Sequence, residues 1–139
     1  MSAARPPAAF AAALASFDLM TMHRLAALLR HHAPDRAWAV AAGHEPPAAG
    51  SAVAKVLEAE RVRAAWRRSA ERIDPDAVWS RCADLGLHVL IAGDAAYPEL
   101  LVAEPHPPPV LFARGDLALL DGRRVAVVGT RNATGAGRH

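Results

Sequence analysis

The chain predicts an α+β fold: a helical unit over residues 8–86, followed over residues 87–139 by the first strands of an α/β domain. Two observations predict it. Up to residue 86, apolar residues recur at three- and four-residue spacing between helix caps and breakers, the pattern of amphipathic helices. From Leu87 the pattern changes to short aliphatic runs bounded by glycine, aspartate and proline, as strands are. A third observation sets the class of the second unit. The run Val125-Ala126-Val127-Val128 empties into Gly129-Thr130-Arg131, an apolar strand feeding a glycine-bearing loop, which is how an α/β domain begins an anion site.

Taken in order, Met1 to Pro7 reads as a frayed tail. Phe10, Leu14 and Phe17 repeat at i, i+4 and i+7 and predict a short amphipathic helix. A second helix starts after Thr21 as N-cap, buries Met22, Leu25 and Leu29 on one face with Leu28 beside them, and is stopped by Pro34. Asp35 is expected to cap a third helix, Arg36 to Ala42, closed by Gly43. The stretch from His44 to Gly50 is a loop. Ser51 then caps one long helix through about Arg72, with Val53, Val56, Leu57, Val62, Trp66 and Ile73 on its apolar face. Asp74-Pro75 restarts the chain as N-cap and first helical residue. The helix that follows carries Val78, Trp79, Cys82 and Leu85 and ends at Gly86. Strands are expected over residues 87–92, 110–115 and 124–129. A turn at Gly93-Asp94, a helical turn opened by Pro98, an extended proline segment over residues 105–109 and a turn at Asp121-Gly122 lie between them.

Composition excludes several function classes. The 139 residues hold a single cysteine, so neither an intrachain disulfide nor a multi-thiolate zinc site is expected. Cys82 falls at helical spacing with Val78 and Leu85 and reads as a buried apolar thiol. The seven histidines are scattered, the adjacent His31 and His32 point to different sides of a helix, and no metal or other cofactor is expected. Sixteen lysines and arginines, all but Lys55 being arginine, stand against fourteen acids, a net charge of +2 that does not by itself argue for nucleic acid. The apolar run from Ala8 to Ala15 lacks a basic n-region and is followed by Asp18, so it is not read as a signal peptide. No run approaches the ~20 apolar residues of a membrane span. The expectation is a soluble cytoplasmic protein with no membrane partner.

The closing Gly-Thr-Arg-x-x-Thr-x-x-Gly carries the best functional signal. Gly129 permits close approach of a phosphate, Thr130 and Thr134 add hydroxyl donors, Arg131 forks onto phosphate oxygens, and Gly137 shapes the loop. On pattern alone a phosphate loop and an ordinary exposed turn are equally good readings. It is neither the dinucleotide fingerprint nor a P-loop, because Gly135 and Gly137 come late and no Gly-Lys-Ser/Thr follows. Arg61, Arg68 and Arg72 lie near one face of the long helix, but Glu58, Glu60 and Glu71 are interleaved, and a solvated, salt-bridged face is expected. No catalytic residue is assigned: the serines read as caps or helix-surface groups, and no nucleophile–base–acid set is visible.

Four segments in order carry a resemblance: Leu85-Gly86-Leu87-His88-Val89-Leu90, Tyr97-Pro98-Glu99-Leu100-Leu101, Pro108-Pro109-Val110-Leu111-Phe112-Ala113-Arg114-Gly115, and Val125 to Arg131 with Thr134 and Gly137. Together they resemble the start of the DNA-processing DprA (Smf) family. The resemblance implies a small SAM-like helical N-terminal domain followed by a truncated Rossmann-like domain, the chain being an N-terminal portion. It implies a non-enzymatic, single-stranded DNA-binding protein of natural transformation that protects incoming DNA, loads the RecA recombinase and homodimerises. On that resemblance Gly129, Thr130 and Arg131 are the DNA-contact residues, shaped by Thr134 and Gly137; Ala136 stands where the family carries tyrosine. Two other readings stay open: a nucleotide-binding Rossmann-like hydrolase fragment, and a helical interaction module without DNA binding.

Overall fold

The computed structural model describes residues 5–122. Six helices come first: α1 (Pro7–Ala15), α2 (Met22–His31), α3 (Pro34–Ala42), α4 (Ala52–Glu58), α5 (Glu60–Arg72) and α6 (Pro75–Asp84). Strand β1 (Leu87–Ile91), the short helix α7 (Glu99–Val102), strand β2 (Val110–Arg114) and a 3₁₀ turn (Leu117–Asp121) follow. The architecture is α+β, mostly helical with a two-stranded antiparallel sheet. The strand expected over residues 124–129, and with it the Rossmann-like part of the expectation, lies outside the described residues.

Most starts and stops are local chemistry. The Thr21 hydroxyl accepts the Arg24 amide at 3.3 Å, and Ser51 Oγ accepts the Ala54 amide at 3.1 Å. The Asp74 carboxylate accepts the Asp76 amide at 3.1 Å, with Pro75 in the first turn where its missing N–H costs nothing. Gly43 closes α3 in the left-handed region at φ 81°, as expected of a residue without Cβ. Asp35, however, is not the cap of α3. Ala33 occupies that position and Pro34 opens the helix, leaving Asp35 in the first turn, where its charge still favours the helix dipole. Arg5 and Pro7 also depart from a frayed tail: Pro7 begins α1, and Arg5 is held across the molecule by Asp76.

Two helices differ more deeply from the pattern. The long helix expected from Ser51 to Arg72 is broken at Ala59, whose φ of −72° and ψ of 104° are extended. Nine residues separate Val53 from Val62, about two and a half turns at ~3.6 residues per turn, so a straight helix would aim them to opposite sides. The break turns both into one core. Helix α1 is not amphipathic: Ala9, Ala11, Ala12, Ala13 and Leu14 are all buried. It carries no polar side chain, and a helix that is apolar all round belongs inside. It touches α3, α6, β1 and β2, and its alanines let them approach closely.

The main core joins Leu14, Phe17, Leu25, Leu28, Val40, Val53, Leu57, Val62 and Trp66. Met22, expected on the buried face of α2, is 43% exposed, and Leu85, expected on that of α6, is 45% exposed. Each lies at a helix end, where the chain has turned away from the core. A second cluster binds the sheet to the helices. Ala12, Cys82 and Val89 are buried together, with Val78, Trp79, Leu87 and Val110 against them. Cys82 is thus the buried free thiol that its spacing predicts.

Candidate nucleic-acid interface

The two strands form one antiparallel ladder. They pair from Leu87↔Arg114 to Ile91↔Val110, which puts Leu87, Val89 and Ile91 on the face shared with Phe112 and Val110. The Ala92 amide continues the ladder to the Pro109 carbonyl at 3.0 Å. Between the strands, Gly93 at φ 102° makes the turn, and the Asp94 carboxylate accepts the Ile91 amide at 3.3 Å. Tyr97 then folds back. It is 4% exposed and its hydroxyl donates to the Pro108 carbonyl at 2.7 Å, tying the Tyr-Pro-Glu-Leu-Leu segment to the proline run. Burial pushes the Tyr97 hydroxyl above its ordinary pKa, keeping it a neutral donor. After β2, His88 Nε2 meets the Gly115 carbonyl at 3.2 Å, and Asp116 caps the 3₁₀ turn through the Ala118 amide at 2.9 Å. The described chain therefore reaches Gly122 on a hydrogen-bonded frame. The five expected phosphate-loop residues, Gly129, Thr130, Arg131, Thr134 and Gly137, lie outside the described residues.

The arginines of α5 divide by partner. Arg72 donates to Asp18 at 2.7 Å, and Arg63 engages Glu60 and the Leu57 carbonyl. Arg61 and Arg68 are exposed and have no ion-pair partner among the described residues. Of the interleaved acids only Glu60 pairs with an arginine of the helix among the described residues, so the expected salt-bridged face of Arg61, Arg68 and Arg72 is not formed: Arg72 reaches Asp18 of the α1–α2 turn instead, and the other two stay open.

One groove has no counterpart in the sequence reading. About 440 Å³ in volume, it lies between α2 and the chain leaving β1, where the proline segment crosses. His23, Arg30 and His31 line it from α2, and His106 from the proline segment. The His23 and His106 rings approach to 5.9 Å between centroids. Scattered histidines carry no local signal for this; only the return of the chain after α7 brings His106 to α2. Among the described residues no cluster of three or more His, Cys, Asp or Glu is arranged to hold a metal, and no helix is long and apolar enough to cross a membrane.

Residues 88–139 match the sequence model of the family described as DNA recombination-mediator protein A. Over these residues the chain is similar to this family. The match takes in β1, the Tyr97–Pro108 tie, β2 and the whole Gly-Thr-Arg segment. Over 54 residues the chain is 43% identical to the DNA processing protein DprA of Bacillus subtilis (strain 168). That stretch is 38% of this chain and 18% of the relative, so the matched part spans under a fifth of the relative's length. No solved structure matches.

Proposed function

We propose that this chain is part of a DNA recombination mediator that binds single-stranded DNA and delivers it to a RecA-type recombinase. The observation that carries the reading is the family match over residues 88–139, which spans the strands and every residue of the Gly-Thr-Arg loop. Gly129, Thr130 and Arg131 then contact a phosphate, and Thr134 and Gly137 shape the loop around it. The chemistry is binding rather than catalysis. Sequence-blind recognition of a single strand needs repeated phosphate contacts and stacking surfaces. One loop supplies one phosphate contact, of roughly 1–3 kcal/mol, so the chain alone binds weakly and further sites must add to it. We place the boundary between the helical N-terminal domain and the DNA-binding domain at residues 86/87, next to where the family match begins. Homodimerisation, a role in transformation and a cytoplasmic location belong to the same reading.

The test is titration of labelled oligo-dT at several salt concentrations. Arg131→Ala should lower affinity about tenfold, the loss of one charge-assisted contact. It should also reduce the dependence of log K on log salt by about 0.7, the value for one phosphate on a single strand. Unchanged affinity and salt slope would remove the loop from the reading.

A further inference from the structure

We propose that the groove between α2 and the proline segment is a second ligand site, one that takes a phosphorylated nucleoside. None of its residues belongs to the Gly129–Arg131 loop, so the proposal stands apart from the reading above.

Three features set the ligand class. The first is charge. Arg30 is the one guanidinium among the lining residues; His23, His31 and His106 add imidazole ring nitrogens; no carboxylate lines the groove. Asp94, close by in sequence, is engaged with the Ile91 amide instead. Arg30, His23, His31 and His106 form no side-chain hydrogen bond or ion pair among the described residues, so their donors are available to an anion. Such a site selects an anion with several acceptor oxygens, as a phosphate is.

The second feature is the floor. Ile91 and Pro107, with the alanines of α2, give an apolar surface beside two imidazole rings inclined at 58°. Inorganic phosphate alone would leave that surface wet. A planar base covers it, and stacking on flat apolar and aromatic groups is tolerant of base identity. The third feature is size. About 440 Å³ lies in the range of small-molecule sites and suits one nucleotide rather than a folded partner. Phosphate toward Arg30 and base toward the imidazole pair is the arrangement these features support.

A free nucleotide and one unit of a single strand share this chemistry, and the experiment separates them. Labelled 139-residue chain carrying Arg131→Ala, which removes the loop contact, is titrated by NMR with dTMP, thymidine and oligo-dT in parallel. The expected result is amide shifts at His23, Arg30, Ala92 and His106 with dTMP, oligo-dT or both, and none with thymidine. Shifts with dTMP identify a free nucleotide as sufficient; shifts with oligo-dT alone identify a strand. Arg30→Ala should weaken the interaction by about tenfold or more. The His23→Ala/His106→Ala pair should weaken nucleotide binding more than it weakens binding of inorganic phosphate. These side chains are exposed, and an unchanged circular dichroism melt verifies that each variant folds. Absence of groove shifts with both phosphorylated ligands, or equal affinity of Arg30→Ala and its parent, overturns the proposal without touching the loop. Failure of Arg131→Ala to alter strand binding overturns the loop without touching the groove.

Discussion

Trp66 is the largest side chain wholly withdrawn from solvent, and its indole N–H has no hydrogen-bond partner among the described residues. An unpaired buried donor costs on the order of 1–3 kcal/mol. Burying the ~150–250 Å² of an aromatic side chain at ~25 cal/mol per Å² gives roughly 4–6 kcal/mol, so the apolar term wins. A smaller buried side chain of the same helix does have a partner. Ser69, also fully buried, accepts the Asp18 amide at 3.0 Å, and Arg72 one turn on holds the Asp18 carboxylate. Together they pin the turn between α1 and α2 onto α5. Arg5 does the same for the start of the chain. Its guanidinium meets both oxygens of Asp76, at 2.6 and 2.5 Å, and lies 5.2 Å from the centre of the Phe10 ring. Hydrogen bonding from Arg5 holds the Asp76 carboxyl below its ordinary pKa. A carboxyl depressed in the folded state adds stability above its unfolded pKa, near 3.8, and that stability is lost as pH falls through the lower folded value. Acid titration of the folded chain, followed by circular dichroism, should therefore show a step below about pH 4 that Asp76→Asn removes. An identical acid profile for Asp76→Asn would show that the pair is not coupled to folding.

Among the elements, α4 and α5 show where local reading ends. Every residue from Ala52 to Arg72 suits a helix, and no glycine or proline marks Ala59. The signal that was present is a phase change: the apolar pair Val53 and Leu57 and the apolar pair Val62 and Trp66 sit half a turn apart on a continuous helix. A helix satisfying both needs a bend, and the chain supplies it where no large side chain interferes. Gly43 shows the opposite case, in which one residue decides. At φ 81° it takes a conformation that L side chains resist, and a Cβ there would come within 2.7 Å of Arg67 Nε. The Arg67 guanidinium is a flexible end that can move, so backbone strain is the larger cost. Gly43→Ala should destabilise the fold by about 1 kcal/mol, read from urea denaturation. A neutral or stabilising effect would show that the α3 terminus relaxes out of the left-handed region.

Across the molecule, the sheet and the helices share apolar surface. Val89 of β1 is 8% exposed and packs with Ala12 of α1 and Cys82 of α6. With this contact the helices and the first two strands should unfold together. Val89→Ala removes two methyl groups, at about 0.8 kcal/mol each before any cavity cost, so the far-UV transition of the helices should lose about 2 kcal/mol. A helix transition that does not move would mean the sheet docks without supporting them. Much of this fold was legible beforehand, because the Thr21, Ser51 and Asp74 caps, the Gly43 stop and the two strands are short-range chemistry. The Gly129-Thr130-Arg131 motif is contiguous in the sequence, and its proposed phosphate contact lies outside the described residues. The groove was not legible, since His106 and Arg30 meet only after the chain has turned at Gly93 and been tied back by Tyr97.

By itself the sequence determined most of the described helices and strands, where most of them start, and the likeness of residues 88–139 to the recombination-mediator family. Those properties depend on neighbours a few residues apart, and such neighbours are written side by side. The tertiary structure decided which elements enclose α1, that the break falls at Ala59 and that four cationic or imidazole side chains converge on one groove. Each depends on which surfaces are brought into contact, and burial acts on area wherever along the chain it originates.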